Sequence, residues 1–255
     1  MMLCLSACLV FTSCDKDKDN ENPSGGTVSK IEGTVVNGSD YDVDAIIGLV
    51  EGERYFVETG YGGYWTRDEV EITSSNFSNN KFSIDLPATL DDKYLELFSN
   101  DFKGANLSDE NVKSVFLNLD GYKSNKYVEY LDYVRMPDIS ATKITFYYSV
   151  YMYVDRDVNV TGTNVVGESS YEYTEKFNMN LKKGWNLMYM TDVYERISED
   201  DVINTENYTT TPISGYKWYF EAEDYFEEHF DMKSASLKST PIANNKSKMF
   251  QRLKK

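Results

Sequence analysis

The chain has 255 residues, 42 Asp and Glu against 26 Lys and Arg, and a formal net charge of −16. That balance argues against a nucleic-acid partner, because a duplex-binding surface needs a basic footprint. It holds one histidine and three cysteines, at positions 4, 8 and 14, which leaves no disulfide framework, no thiolate site and no histidine-rich zinc site in the rest of the chain.

Residues 1–13 carry no charge. The apolar stretch Leu3 to Phe11 is too short to span a bilayer, which takes roughly 20 residues, and reads as the core of a secretory signal. It lacks the Lys or Arg that usually opens such signals. Phe11-Thr12-Ser13-Cys14 resembles the lipid-attachment site of a bacterial lipoprotein. The run Asp15-Lys16-Asp17-Lys18-Asp19 behind it resembles the surface-export signal of Bacteroidetes lipoproteins. Leu5-Ser6-Ala7-Cys8 fits the small-residue rule better, but only Cys14 is followed at once by the acidic run. The resemblance implies a diacylglyceryl thioether on Cys14 and an outer-membrane, surface-facing location. At about 0.8 kcal/mol per buried methylene, several acyl chains anchor a protein without any transmembrane helix. Residues 14–28 are polar and end in Pro23-Ser24-Gly25-Gly26, the composition of a flexible acidic linker.

From Lys30 the hydrophobic period is two, the signature of strands. Ile31 to Val36, Ala45 to Val50, Val70 to Ile72, Lys81 to Leu86 and Tyr94 to Phe98 read as strands, with turns at Asn37-Gly38-Ser39-Asp40 and Asn79-Asn80. The polar stretch 100–110 reads as a break. Beyond it, strands are expected at 112–119, 127–134, 143–154, 158–162, 171–181, 185–190 and 216–221, with Leu181 to Trp185 as a hairpin turn tightened by Gly184. Glu221 to Met232 has the apolar spacing of a short helix. Residues 233–255 hold seven Lys or Arg and no acid, and read as a basic, disordered tail. The fold class is therefore all-β. Two β-sandwich-like domains are expected, an immunoglobulin- or transthyretin-like one over 29–100 and a larger antiparallel sandwich over 101–232.

Tyr151 to Gly162, Asn178 to Asn186 (containing Lys182-Lys183-Gly184-Trp185-Asn186) and Ser214 to Phe220 resemble stretches of uncharacterised lipoproteins of gut Bacteroidetes. The resemblance covers about residues 140–222 and the anchor, and it implies a lineage without implying an activity or any site residue.

The chemistry-bearing patterns are sparse. His229 lies in Glu227-Glu228-His229-Phe230-Asp231 and reads as a solvated side chain rather than a triad base. Carboxylates are too abundant for a glycosidase pair to be singled out. Asp40, Asp42 and Asp44, and also Asp155 and Asp157, have oxygen-ligand spacing but lack the Gly and distal Glu of an EF-hand loop. They are secondary calcium candidates, and otherwise no metal or cofactor is expected. Gly60-Tyr61-Gly62-Gly63-Tyr64-Trp65 is too aromatic for a phosphate cradle and reads as an aromatic loop. Tyr61, Tyr64 and Trp65, beside Arg67, have the chemistry of a sugar-stacking platform; the same rings would equally plug the end of a sandwich. In 143–154, Phe146, Tyr148, Val150 and Met152 fall on one face and Tyr147, Tyr151 and Tyr153 on the other, so either the second face is covered or it forms an aromatic stripe. Trp185 and Trp218 read as core. The reading is a non-catalytic, lipid-anchored binding protein for a glycan or another extracellular ligand, with a structural or adhesive surface protein that binds other proteins as the alternative.

Overall fold

The computed structural model describes residues 27–59, 62–168, 171–197 and 202–222. Cys14 and the linker before Thr27, Tyr61, His229, the expected helix beyond Ala222 and the basic tail lie outside the described residues. So do the side chains of Tyr64 and Trp65.

Fourteen strands form among the described residues: β1 (Lys30–Thr34), β2 (Ala45–Thr59), β3 (Gly62–Asn76), β4 (Lys81–Asp85), β5 (Glu96–Leu97), β6 (Asn106–Leu107), β7 (Lys113–Lys123), β8 (Lys126–Ile139), β9 (Lys143–Val154), β10 (Val158–Glu168), β11 (Tyr171–Leu181), β12 (Gly184–Arg196), β13 (Val202–Thr209) and β14 (Lys217–Phe220). The chain is all-β. Strands β1 and β4 form a small antiparallel sheet. The others form one large sheet in the order β3-β2-β7-β8-β9-β12-β13-β11-β10-β6, with β14 added to β8 and β5 to β7. The expected turn at Asn79-Asn80 forms, closed by a Ser78↔Lys81 bridge, with φ of 52° and 60°. At the β7–β8 hairpin Ser124 and Asn125 take 49° and 64°, a left-handed pair that matches the right-handed twist of the paired strands.

The bulky strand Lys143–Val154 is buried on both faces over its second half, from Val150 to Val154. Tyr151 and Tyr153 enter one core with Trp185, Leu187 and Tyr189 of β12. Val150, Met152 and Val154 enter a second core with Met188 and Met190. Alternation along β9 and β12 thus makes this sheet a shared wall between two cores. The first core is covered by β1, β4 and β14 through Ile31, Phe82, Ile84, Trp218 and Phe220. The second is closed by β10 and β11 and by Phe98 and Phe102, whose rings stack 4.5 Å apart. Trp185 and Trp218 are both core, as expected.

Residue 100 does not separate these two cores. β2 pairs with β7 from Ala45↔Tyr122 to Leu49↔Asn118. Trp185 Nε1 donates to the Pro87 carbonyl at 2.9 Å, and the Asn37 side chain makes two bonds to the Phe220 backbone, at 2.8 and 2.9 Å. The physical reason is unpaired edge: a short run of N-terminal strands leaves β2 and the apolar side of β1–β4 open, and the second half supplies both covers.

Three local expectations change. Tyr94 to Phe98 is not one strand. Asp91 accepts a hydrogen bond from the Lys93 amide, which closes a 3-10 turn at Asp92–Tyr94; two strand residues and a second 3-10 turn at Phe98–Asn100 follow. The turn at Leu181 to Trp185 joins no hairpin, because β11 uses its two edges for β10 and, in parallel, for β13, so β13 lies between β11 and β12. Gly184 does take a positive φ, 105°. The Asn186 side chain holds this crossover, accepting from the Lys182 amide at 2.9 Å and donating to the Lys182 and Gly184 carbonyls at 2.7 and 2.8 Å. Finally, Val202–Thr209 is a strand that the sequence reading missed: its buried positions include Asn204 and Glu206, which hide the apolar alternation.

Candidate functional site

Strands β2 and β3 run 15 residues each, but β7 covers β2 only over Ala45–Leu49. The distal half, 52–59 with 62–68, therefore stands as a two-stranded arm. Register shifts between Gly48 and Leu49 and between Glu51 and Arg54 mark where it leaves the body, the usual place for a bulge that re-aims a strand. Gly63, Tyr64 and Trp65, expected in a loop, belong to this arm's second strand. Trp65 sits opposite Phe56 in the register, Tyr64 opposite Val57 and Thr66 opposite Tyr55.

Two aromatic rings of the arm face solvent, Tyr55 at 40% and Phe56 at 50% exposure. The Tyr55 hydroxyl donates to Asp68 Oδ1 at 2.7 Å across the arm, which fixes that ring's tip. Arg67, expected beside the aromatic platform, is engaged elsewhere. Its guanidinium pairs with Glu96 of β5 and lies 3.5 Å from Glu51 Oε2. It ties the base of the arm to the body, so its role here is anchoring.

A second aromatic group lies on the face of β7 and β8 turned away from the first core. The rings of Tyr122 and Tyr127 are 6.1 Å apart and those of Tyr127 and Tyr130 are 5.3 Å apart. Tyr127 donates to Glu129 Oε1 at 3.0 Å. Burial, and then Glu129, hold the Tyr127 hydroxyl well above the ordinary tyrosine range. Beside these rings Asp120 is 2% exposed. Burial first, then the charges of Glu69, Asp132 and Glu129, push its carboxyl up to about 7. The sequence reading did not single out these residues. The Asp-Gly-Tyr of β7 and the Tyr-rich start of β8 were its only trace, and both read as ordinary strand.

The acidic turns are occupied by protein cations and amides. Lys123 Nζ lies 2.8 Å from Asp42 Oδ1 and 3.8 Å from Asp44 Oδ2, and the Ser124 amide donates to Asp44 at 3.3 Å. Asp40 lies apart, in the 3-10 turn Gly38–Asp40, and accepts from Ser39. Asp155 accepts from the Lys113 amide at 2.9 Å and pairs with Arg156. The Lys183 amide and Lys182 hold Asp157 below the usual carboxylate range. Among the described residues no group of three or more His, Cys, Asp or Glu is placed to hold a metal ion.

A further polar group faces the second core. Asp192 and Glu206 are cross-strand partners on β12 and β13, both almost fully buried. Tyr208 donates to Glu206, while Asn164 and Tyr173 donate to Glu175 at 2.8 and 3.1 Å. Burial, and then the charge of Glu206, raise the Asp192 carboxyl well above its ordinary value.

The fold and these surfaces define an all-β protein that presents an aromatic arm and a tyrosine-lined, acid-flanked sheet face. No protein-family model, curated protein or solved structure matches the chain. Among the described residues no helix is long and apolar enough to cross a membrane, which says nothing of a crossing by strands.

Proposed function

We propose that this protein is lipid-anchored through Cys14 at the outer membrane and binds an extracellular ligand, a glycan, through the arm of β2 and β3. The observation that carries the reading is the solvent exposure of Phe56 and Tyr55 on a two-stranded arm whose register brings Trp65 opposite Phe56. Sugar rings present apolar C–H faces that stack on aromatic rings of this kind. Asp68 and Glu58 on the same arm supply acceptors for hydroxyl groups.

The test is retention of the full chain on an array of host and plant polysaccharides. Phe56→Ala and Trp65→Ala are expected to abolish retention while the unfolding midpoint stays within a few degrees. No retention of the parent chain on any glycan refutes the reading. A second reading rests on strand order. β3 is the terminal strand of the large sheet, and a 15-residue edge offers backbone groups to an extended segment of a protein partner. Self-association or protein capture that survives Phe56→Ala but is lost when Pro replaces Thr66 favours that adhesive role.

A further inference from the structure

Where β7, β8 and β9 meet, the sheet parts. β7 pairs with β9 from Ser114 to Leu117 and with β8 from Asp120 to Lys123, while β9 pairs with β8 only up to Tyr148. Between these pairings lies a narrow cleft of about 60 Å3, reaching Asp120 and Asp132, with Tyr130, Tyr133, Tyr151 and Trp218 among its walls. No Lys, Arg or His lines it among the described residues. Asp120, one of its lining residues, has its Oδ1 buried without a hydrogen-bond partner.

A desolvated carboxylate without a partner costs free energy, and native structures rarely keep one unless something else engages it. We infer that this cleft binds a primary alkylammonium group, the head of a small amine or of a lysine side chain, with Asp120 as its counter-ion.

Size, charge and wall chemistry agree on that class. By the measure on which a cavity of about 150 Å3 takes up benzene, this cleft admits a group of only a few heavy atoms, such as a methylene and an ammonium. Trp218 packs against Tyr133 and Tyr151, with ring centroids 4.7 and 6.3 Å apart, so these walls offer apolar surface to the alkyl part of the ligand. The Ser149 hydroxyl is turned inward, donating to the Tyr133 carbonyl at 2.6 Å, so it does not compete for the carboxylate. Glu69 of β3 and Glu129 and Asp132 of β8 add negative charge around Asp120, which repels anions. A divalent metal fits less well, since among the described residues no three His, Cys, Asp or Glu side chains converge to hold one.

The groups that face Asp120 also make the site pH-sensitive. Glu69, Glu129, Asp132, Tyr122 and Tyr130 surround it from β3, β7 and β8. Below neutrality its carboxyl takes up a proton and ceases to be a counter-ion, while an alkylammonium keeps its charge throughout.

The full chain is titrated with n-butylammonium chloride at constant ionic strength, followed by amide NMR shifts, with potassium chloride as the control. Saturable shifts at Asp120, Tyr130 and Tyr133 are expected at pH 8, with affinity about a hundredfold weaker at pH 5. Asp120→Asn is expected to weaken binding at least tenfold. The inference is overturned by absence of saturable shifts at pH 8, by equal shifts with potassium, by pH-independent affinity, or by undiminished binding to the Asp120→Asn chain.

Discussion

Replacing Asp120 by Asn separates what this residue costs the fold from what it does. In the folded chain its carboxyl titrates near 7, raised by burial and by Glu69, Asp132 and Glu129, from an ordinary 3.8. A raised acid binds protons more readily folded than unfolded. Stability is therefore greatest at low pH, declines as pH climbs from about 4 to about 7, and is flat above. At 1.36 kcal/mol per pH unit, that interval amounts to about 4 kcal/mol, the cost of ionising Asp120 in place. Asn keeps the size and removes the charge, so the variant is expected to match the parent near pH 4 and to exceed it by up to about 4 kcal/mol at pH 8. For a body of this length, that is a gain of about 10 °C in the unfolding midpoint. Urea unfolding at pH 4.5, 6, 7 and 8 measures it directly. A difference that is the same at every pH, or a variant weaker at pH 8, would show that Asp120 is not a buried charge held at a cost. The expected pairing, higher stability with lost ammonium binding, is the trade usual where a site is kept strained for function.

Two further predictions concern packing. A Cβ at Gly33 would fall 2.2 Å from Trp218 Cδ1, so Gly33→Ala must push the indole out of the first core. It is expected to cost about 1–3 kcal/mol in urea unfolding and to shift the Trp fluorescence maximum, and an unchanged spectrum would refute the contact. Asn186→Ala removes three hydrogen bonds from the crossover between β11 and β12 and leaves half-buried backbone groups of Lys182 and Gly184 without that partner. A loss of about 2–3 kcal/mol is expected, and a loss below about 0.5 kcal/mol would show that the turn holds without it.

Some elements were legible residue by residue. Lys143–Val154 and Tyr171–Leu181 were read with their observed ends, the first because a β-branched and aromatic run ends at Asp155-Arg156-Asp157, the second because near-regular alternation ends at Lys182-Lys183-Gly184. The Asn79-Asn80 turn was legible because few residues other than Gly and Asn accept left-handed backbone. Val202–Thr209 was not, since Asn204 and Glu206 occupy inward positions and only their neighbours across β12 and β11 make that tolerable. Tyr94 to Phe98 misled because the side chain of Asp91 closes a turn that the apolar pattern does not encode. The aromatic run 61–65 was visible, but Tyr55 and Phe56 became its neighbours only through the register of β2 on β3.

Periodicity, turn residues and charge belong to short stretches of chain, so the sequence alone determined that this is an acidic, strand-built protein with a lipoprotein-like start. Which edges pair is settled by contacts between residues far apart. Only the tertiary structure therefore decided that β2 joins β7, that the second half of β9 is buried on both faces, and that three strands part around Asp120. That carboxylate's neighbours, Glu69, Glu129 and Asp132, come from two other strands, and no local pattern announces them.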